Sequence, residues 1–595
     1  MVVVIGAGLM LVAPAPAAMA APLSVNCGTG GDLQAKIDAA ASGSTILVKG
    51  TCFGSFLIFD KSLTLKGDPA ATLDGNDLSR TLEVNAAGKQ VHLVGLTITG
   101  GAAPGAGIAV EGGGVALLTL NAVKVTGNLT TATSGAAQGA GIYVTKGNLT
   151  LTSSTVSANR ALATDGATTA AGAGIYVNDG NLTIKNSSIS GNRATAVPVS
   201  GTATAEGGGF YVNGNLTVQG STITGNRVTA AGASVTEAFG AAGFETSGST
   251  ATLSGAVVGS NIGTASSTSA TVAAGRTLAL FATKQSISGS SIEGNRASGD
   301  APAGSAAVDG AGVYGESLHV TGSRVSGNSA VATASSFAEA VAGGIRATQV
   351  TLVRSIVDSN SLSATSSGFQ ASADGGGVLA SSLTATGSTI SRNRALAKTS
   401  APQLVRAFGG GVFATVTATN STFALNHVSA TSPTIGGNSG VFGGGLDSAG
   451  SLLDSTVAGN TATASGDTTQ REGGGLYGGS MAITNTIIAN NIAADGPDCF
   501  HLPQAGNYTS GGHNLIRKTA GCSFPKKPTD IVGKNPLLGP LASNGGPTQT
   551  MAIALASPAR DAILKADCAV AKDQRGVPRP QGPRCDIGAY ERKFT

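Results

Sequence analysis

An asparagine returns along this chain about every 33 residues, at Asn159, Asn192, Asn226, Asn261, Asn295, Asn328, Asn360, Asn393, Asn426 and Asn460. A period of that length, held so long, is the mark of a solenoid rather than of a compact domain. A glycine-rich step keeps time with it. It reads GAGIYV at 139–144 and 172–177, GGGFYV at 207–212 and GAGVYG at 310–315, then GGGVLA at 375–380, GGGVFA at 409–414, GGGLDS at 443–448 and GGGLYG at 473–478.

Between these markers the apolar period is two. In NLTVQGSTIT, Leu216 and Val218 share one face and Thr217 the other, and Ile223 points inward between Thr222 and Thr224. Alternating β-branched residues predict short strands, and Gly and Asn fall where corners need positive φ. Helical spacing is absent from the repeats, which excludes helical solenoids. One such unit cannot bury its apolar edge alone. Stacked copies can, each coil's strands pairing with those above and below. The expected fold is all-β: a parallel β-helix whose asparagine amides bond from coil to coil. NLT at 128–130 and 148–150 reads as a strand start more than as a glycosylation site. The Ala/Thr-rich remainder of each unit (161–171, 195–206, 228–239) is predicted to project as a loop from one corner.

The ends differ from the middle. Residues 1–20 have a short apolar core and a small-x-small site at Ala18-Met19-Ala20, predicting an export signal. No later apolar run is long enough to span a bilayer, so no transmembrane segment is expected in the mature chain. Residues 21–44 form an N-terminal cap, with an amphipathic helix within 32–43 that presents Leu33, Ile37 and Ala40 on one face. The solenoid is expected over 45–495, and a Cys/Pro/Gly-rich, disulfide-stapled C-terminal cap over 496–595. All six cysteines lie in the end regions. Their clustering favours the pairs Cys27–Cys52, Cys499–Cys522 and Cys568–Cys585, hence an oxidising compartment. A net charge of +4 without any basic run gives no reason to expect nucleic acid as a partner.

Four C-terminal stretches are read together: GGHNLI (511–516), NPLLGPLASNGGPTQTMAI (535–553), SPARDA (557–562) and DQRGVPRPQGPRCDIGAYE (573–591). They resemble the C-terminal part of bacterial parallel β-helix proteins of the choice-of-anchor Q type and, more distantly, polymorphic outer-membrane proteins. The resemblance implies a secreted right-handed β-helix at the cell surface. The chain departs from the pattern by stopping at RKFT, without a hydrophobic tail, sorting motif or final barrel strand.

Two classes of function follow as expectations. One is a monomeric surface adhesin or structural protein that binds a polysaccharide or a host or cell-surface glycan. The other is a secreted polysaccharide lyase or hydrolase on the same scaffold. No catalytic residue, metal ligand or cofactor site is singled out: Asp358, Asp374, Asp447 and Asp454 look scattered, and the five histidines are dispersed. The candidate binding face is the outward slot after the glycine step, holding Tyr143, Tyr176, Tyr211, Tyr314, Phe413 and Tyr477, with Leu379, Glu245, Arg346 and Asp447 interspersed. Outward aromatics stacked along a rod suit sugar rings; the competing expectation is that the Ala/Thr loop covers them. A carboxylate often precedes the glycines (Glu206, Asp309, Asp374, Glu472). An arginine often follows the asparagine (Arg160, Arg193, Arg227, Arg296, Arg394). The C-terminal motif Asp573, Arg575, Arg579, Asp586, Tyr590 and Glu591 is dense in charge. It reads as an ion-pair knot that locks the cap, with a ligand site as the alternative.

Overall fold

The computed structural model describes residues 23–593 apart from 103–104, 114–116, 233, 246–247, 269–272, 276–279 and 434. The export signal expected over 1–20 lies outside the described residues. Parallel pairing begins between Leu23–Asn26 and Ser44–Phe53 and continues coil on coil to Ile531–Val532. The molecule is a parallel β-solenoid whose full-size region has about eleven turns.

One full coil shows the design. Its strands are Ile142–Val144, Asn148–Thr152, Thr155–Ser157, Arg160–Asp165 and Thr169–Ala171. The first three stack on their counterparts to enclose a body filled with Ile, Leu and Val, where Leu216, Val218 and Ile223 point inward as the alternation predicts. The last two correct the sequence reading. The Ala/Thr-rich segments are not projecting loops. They form two further parallel sheets of eleven strands each, packed face to face as a thin wing. Alternate alanines such as Ala194, Ala196, Ala203 and Ala205 fill the wing. Alanine has little intrinsic strand preference. What makes these segments strands is the coil above and below, which offers each backbone group a partner.

The recurrent asparagines form one continuous ladder. Each Nδ2 donates to the Oδ1 of the next coil's asparagine at 2.9–3.0 Å, from Asn128 through Asn159 and onward to Asn491. Asn491 then donates to Asp498 Oδ1 at 3.0 Å. A carboxylate only accepts, so it ends a row of donors without leaving an orphan. A second row runs one corner earlier: the backbone N–H of Ser154 bonds Ser187 Oγ, Ser187 bonds Ser221, and so on from Ser290 to Ser455 and Thr486. It closes on Asn514, whose amide donates to Asp530.

The glycine step belongs to the same design. At Gly377 a Cβ would lie 2.7 Å from Asn393 Nδ2 and 2.6 Å from the Gly411 carbonyl, so only a bare backbone fits beside the ladder. At Gly207 the backbone turns at φ +56°, a conformation glycine adopts without strain.

The N-terminus is covered by the helix Leu33–Ala39. Asp32 accepts from Ala35 N at 3.0 Å, and Leu33 and Ile37 are buried against the first coils. The three disulfides pair as the clustering favours. The C-terminal region divides its work. Residues 499–532 complete the last coils, and 535–593 return toward earlier ones. They fold back along the side, over the third-strand row Thr389–Ser391, Thr422–Ala424, Thr456–Ala458 and Ile487–Ala489. Thr389 Oγ1 donates to the Gln549 carbonyl at 2.6 Å, Thr422 Oγ1 to Gln574 Oε1 at 2.6 Å, and Ala589 N to Thr456 Oγ1 at 3.1 Å. All four strands of that row are buried on both faces, whereas Ser188–Ser190 and Thr222–Thr224 keep an open outer face.

Candidate functional site: an aromatic groove at the glycine corner

The positive-φ glycine bends the chain so that side chains on either side of it face one another outside the body. A Cβ at Gly172 would sit 2.8 Å from the Tyr176 Cβ, and one at Gly473 2.7 Å from the Tyr477 Cβ. Stacked over many coils, this concave corner is a longitudinal groove. The slot residues form one wall. The last outward residue of the preceding strand forms the other.

In the first wall Tyr143, Tyr176 and Tyr211 occupy three successive coils in register. Their rings stack with centroids 5.4 and 4.7 Å apart. The rings are half-buried at the ends of the stack, and Tyr176 in the middle is only 7% exposed. What covers Tyr176 is its neighbours, not an Ala/Thr loop, because that segment is committed to the wing. The register after Tyr211 corrects the alternation. Phe244, not Glu245, pairs with Tyr211, and the row continues through Phe281 to Tyr314. Arg346, Leu379, Phe413, Asp447, Tyr477 and Phe500 follow. Sequence reading missed Phe244, Phe281 and Phe500 because their coils lack the glycine triplet that marks the slot.

The second wall carries Gln138, Ala171, Glu206 and Phe239 in order, and later Asp309, Val341, Asp374, Phe408, Phe442 and Glu472. The carboxylates that precede the glycines therefore lie on one wall, spaced two or three coils apart and facing the aromatic wall across the corner. Gln138 Nε2 donates to Tyr176 Oη at 3.1 Å. Phe408 stacks on both Phe413 and Phe442, and Phe442 lies 5.0 Å from the Tyr477 ring. Arg346 pairs with Asp309 and lies 5.4 Å over the Tyr314 ring.

Burial weakens several of the acids in this groove by penalising their charged forms. It pushes Glu206 up to about 7, helped by Glu237. Burial, and then the charge of Asp374, pushes Asp447 up to about 7. Asp374 rises to about 6 for the same first cause, although its bond from Ser372 opposes the shift. Burial holds the phenols of Tyr143, Tyr176 and Tyr211 above their ordinary range.

Toward the C-terminus the residue after the slot becomes small. Earlier coils place Val144, Val177 and Val212 just after the slot, and later coils place Gly315, Ala347, Ala380, Ala414, Ser448 and Gly478 there. Small side chains leave two recesses. One, of about 320 Å3, is lined by Tyr314, Arg346 and Leu379. The other, of about 380 Å3, is lined by Phe413, Asp447, Tyr477 and Leu502.

The C-terminal motif lies elsewhere, in the tail that clads the third row. Both oxygens of Asp573 are occupied: Arg575 Nε and Nη2 donate at 2.9 and 2.6 Å, and the amides of Arg575, Val577 and Glu591 donate at 2.9 Å. Glu591 accepts from the Gln581 and Asp586 amides, and Asp586 from those of Asp561 and Arg592. Arg575 stacks 3.6 Å over Tyr590. The Arg579 guanidinium is fully buried, 3.6 Å from Asp454 on the solenoid and 3.5 Å from Glu591. The carboxylates of Asp573, Asp586 and Glu591 are thus engaged by backbone amides and by the Arg575 side chain. Burial pushes Asp454 up to about 6 and Glu591 up to about 7, the Arg579 charge opposing both shifts.

Arg160, Arg193 and Arg227 stack in adjacent coils on the outer face of the wing, followed by Ile262 and Arg296. His319 is exposed and bonds only Thr321 among the described residues. Among those residues no three acids, histidines or cysteines converge as metal ligands, and no helix is long and apolar enough to cross a membrane. Compared with known proteins, the chain matches no family and no curated sequence.

Proposed function

We propose that this chain is an exported, surface-associated β-helix of right-handed winding, monomeric, of the choice-of-anchor Q kind that its C-terminal motifs resemble. Its task is to bind an extended polysaccharide along the glycine-corner groove, as an adhesin or a structural glycan-binding protein. The observation that carries this reading is the largely aromatic file from Tyr143 to Phe500, which follows the long axis and faces a wall where four carboxyl groups and one amide alternate with apolar side chains. Flat rings with polar groups beside them suit pyranose faces and their hydroxyls. Three disulfides at the chain ends support export to an oxidising compartment.

Adsorption of the full chain to insoluble polysaccharides, compared with a Phe413→Ala/Tyr477→Ala double variant, tests the reading. Retention of the parent chain and at least tenfold weaker retention of the variant is the expected result. Equal retention of both places binding outside the groove.

The second reading, polysaccharide cleavage, is favoured by one observation: Asp374 and Asp447 share the groove, and the charge of Asp374 adds to burial in holding Asp447 protonated. A carboxyl group held protonated near neutral pH beside a second carboxylate is the equipment of acid-assisted glycosidic cleavage. Reducing ends released from a polysaccharide by the parent chain, and by neither Asp374→Asn nor Asp447→Asn, would establish it.

A further inference from the structure

We propose that the C-terminal recess of the groove selects a hexosamine unit with a free amino group, the ammonium pairing with Asp447 and the pyranose ring lying against Phe413 or Tyr477. This inference rests on the glycan-groove reading and narrows it to a cationic sugar.

Four observations carry it. Asp447 replaces an aromatic residue in the middle of an otherwise aromatic stretch: Phe413 precedes it in register and Tyr477 follows. Phe442 ends the preceding strand of the same coil, across the glycine corner, and its ring lies against that of Tyr477. The Asp447 carboxylate is thus set among three rings. Second, it has neither an ion pair nor a side-chain hydrogen bond among the described residues, although it is half-buried. The knot carboxylates Asp573, Asp586 and Glu591 each have several donors. A half-buried carboxylate that the fold leaves unpaired is incompletely solvated, and a bound cation would offset that loss.

Third, the charge around it is of one sign. Asp374 and Glu472 flank the same stretch of the facing wall. The nearest cation of the slot row, Arg346, is already engaged by Asp309 and stacked on Tyr314. A uronate or sulfated sugar would meet repulsion here; an ammonium would meet a carboxylate and ring faces together, the two groups that hold cations best in a partly dry site. Fourth, the recess has about 380 Å3 of space, floored by Ala414, Ser448 and Gly478. That lies within the ~300–1,000 Å3 common for small-ligand sites. A flat pyranose face matches the rings better than an extended peptide does. A lysine-rich peptide is therefore the competing occupant to be tested.

The test uses the full chain and titration calorimetry with four probes: a glucosamine hexamer, its fully N-acetylated counterpart, a galacturonate hexamer and a lysine hexamer. The glucosamine hexamer is expected to bind at least tenfold tighter than the other three. Asp447→Asn should erase that preference. An unaltered circular dichroism spectrum and melting point, at least equal to the parent's, show that the variant is folded. Equal binding of both glucosamine forms, tighter binding of galacturonate, or an Asp447→Asn variant that keeps its preference overturns the amine selectivity. If the N-acetylated hexamer binds and Phe413→Ala/Tyr477→Ala abolishes that binding, the groove reading survives such an outcome. If the lysine hexamer alone binds, the ligand is a cationic peptide and the sugar assignment falls. If no probe binds, the amine-sugar assignment falls, and the adsorption experiment decides the groove reading separately.

Discussion

The two halves of the solenoid are built from the same coil and differ in what lies outside it. Around residues 142–230 the groove is closed: three tyrosines stack in register, valine follows each, and the third-strand row is bare. Around residues 378–489 the groove is open: small residues follow the slot, Asp447 interrupts the rings, and the tail clads the third row. The inner framework does not change between them. Asn226 and Asn426 make the same bonds at the same lengths, 3.0 and 2.9 Å to the next amide. A repeat can therefore hold its shape through the inward residues and glycine corners while its outward positions diverge coil by coil.

The largest effect that separates the halves should come from Arg579→Ala. Removing the guanidinium leaves Asp454 and Glu591 buried without their counter-charge, a loss of about 3–5 kcal/mol for a broken buried pair. The loss should fall on the clad half. Native-state hydrogen exchange should show faster exchange in the coils around 389–489 and none around 142–230. Uniform acceleration would mean that the rod unfolds as one unit and that the comparison has no energetic content.

Next in size is Tyr176→Ala. It removes a nearly buried ring sandwiched between two others and should cost about 3 kcal/mol, in the range of buried aromatic truncations. Phe413→Ala, in the open half, should cost about 1 kcal/mol because more of that ring faces solvent. Denaturant midpoints of the two variants check the ordering. A reversal would show that the tyrosine stack is the more adaptable part.

Asn226→Ala and Asn393→Ala should then cost the same in either half, about 1–3 kcal/mol each. The preceding asparagine's backbone and side-chain N–H groups lose one shared acceptor in both cases. A difference larger than about 0.5 kcal/mol, beyond ordinary additivity scatter, would show that the cladding reaches the ladder.

The smallest effect is with pH. Glu206 and Asp447 titrate near 7 and Asp374 near 6, all above the ordinary carboxyl range, because burial penalises the charged form. Between the unfolded value and these folded values, the native state binds more protons than the unfolded chain. Stability therefore rises as pH falls from about 8 toward 5 and declines as pH rises through 6–7. The melting temperature should be higher at pH 5.5 than at pH 8. Glu206→Gln and Asp447→Asn should each remove part of that difference, the first from the closed half and the second from the open one.

Legibility in the sequence followed the range of the interactions. The strand alternation, the glycine corners, the capping helix at 33–39 and the disulfide pairing were all readable, since each depends on residues close in sequence or on a strict period. The ladder was readable in its middle but not at its ends. Asn128 sits in an NLT triplet that passes for a strand start, and Asn491 falls outside the GN or AN pattern at an irregular spacing. Asp498 and Asp530 carry no local sign of ending a row. The wing was misread because alanine says little about strand or loop until a neighbouring coil exists to pair with it.

For the groove, the sequence alone determined that aromatic residues recur at one slot, because the two-residue period and the glycine triplet mark it wherever both are intact. It could not determine that the slot faces a second wall. That depends on the sense in which the corner bends, which brings Phe408 to Phe413 and Glu206 beside the tyrosines from a separate strand. Nor could it show that the last sixty residues lie along the side of the rod. Their hydrogen-bond partners, Thr389, Thr422 and Thr456, are more than a hundred residues earlier, in positions that look identical to the open threonines of the first coils. Those threonines have the same local chemistry in every coil; only packing decides which of them meet solvent and which meet the returning chain.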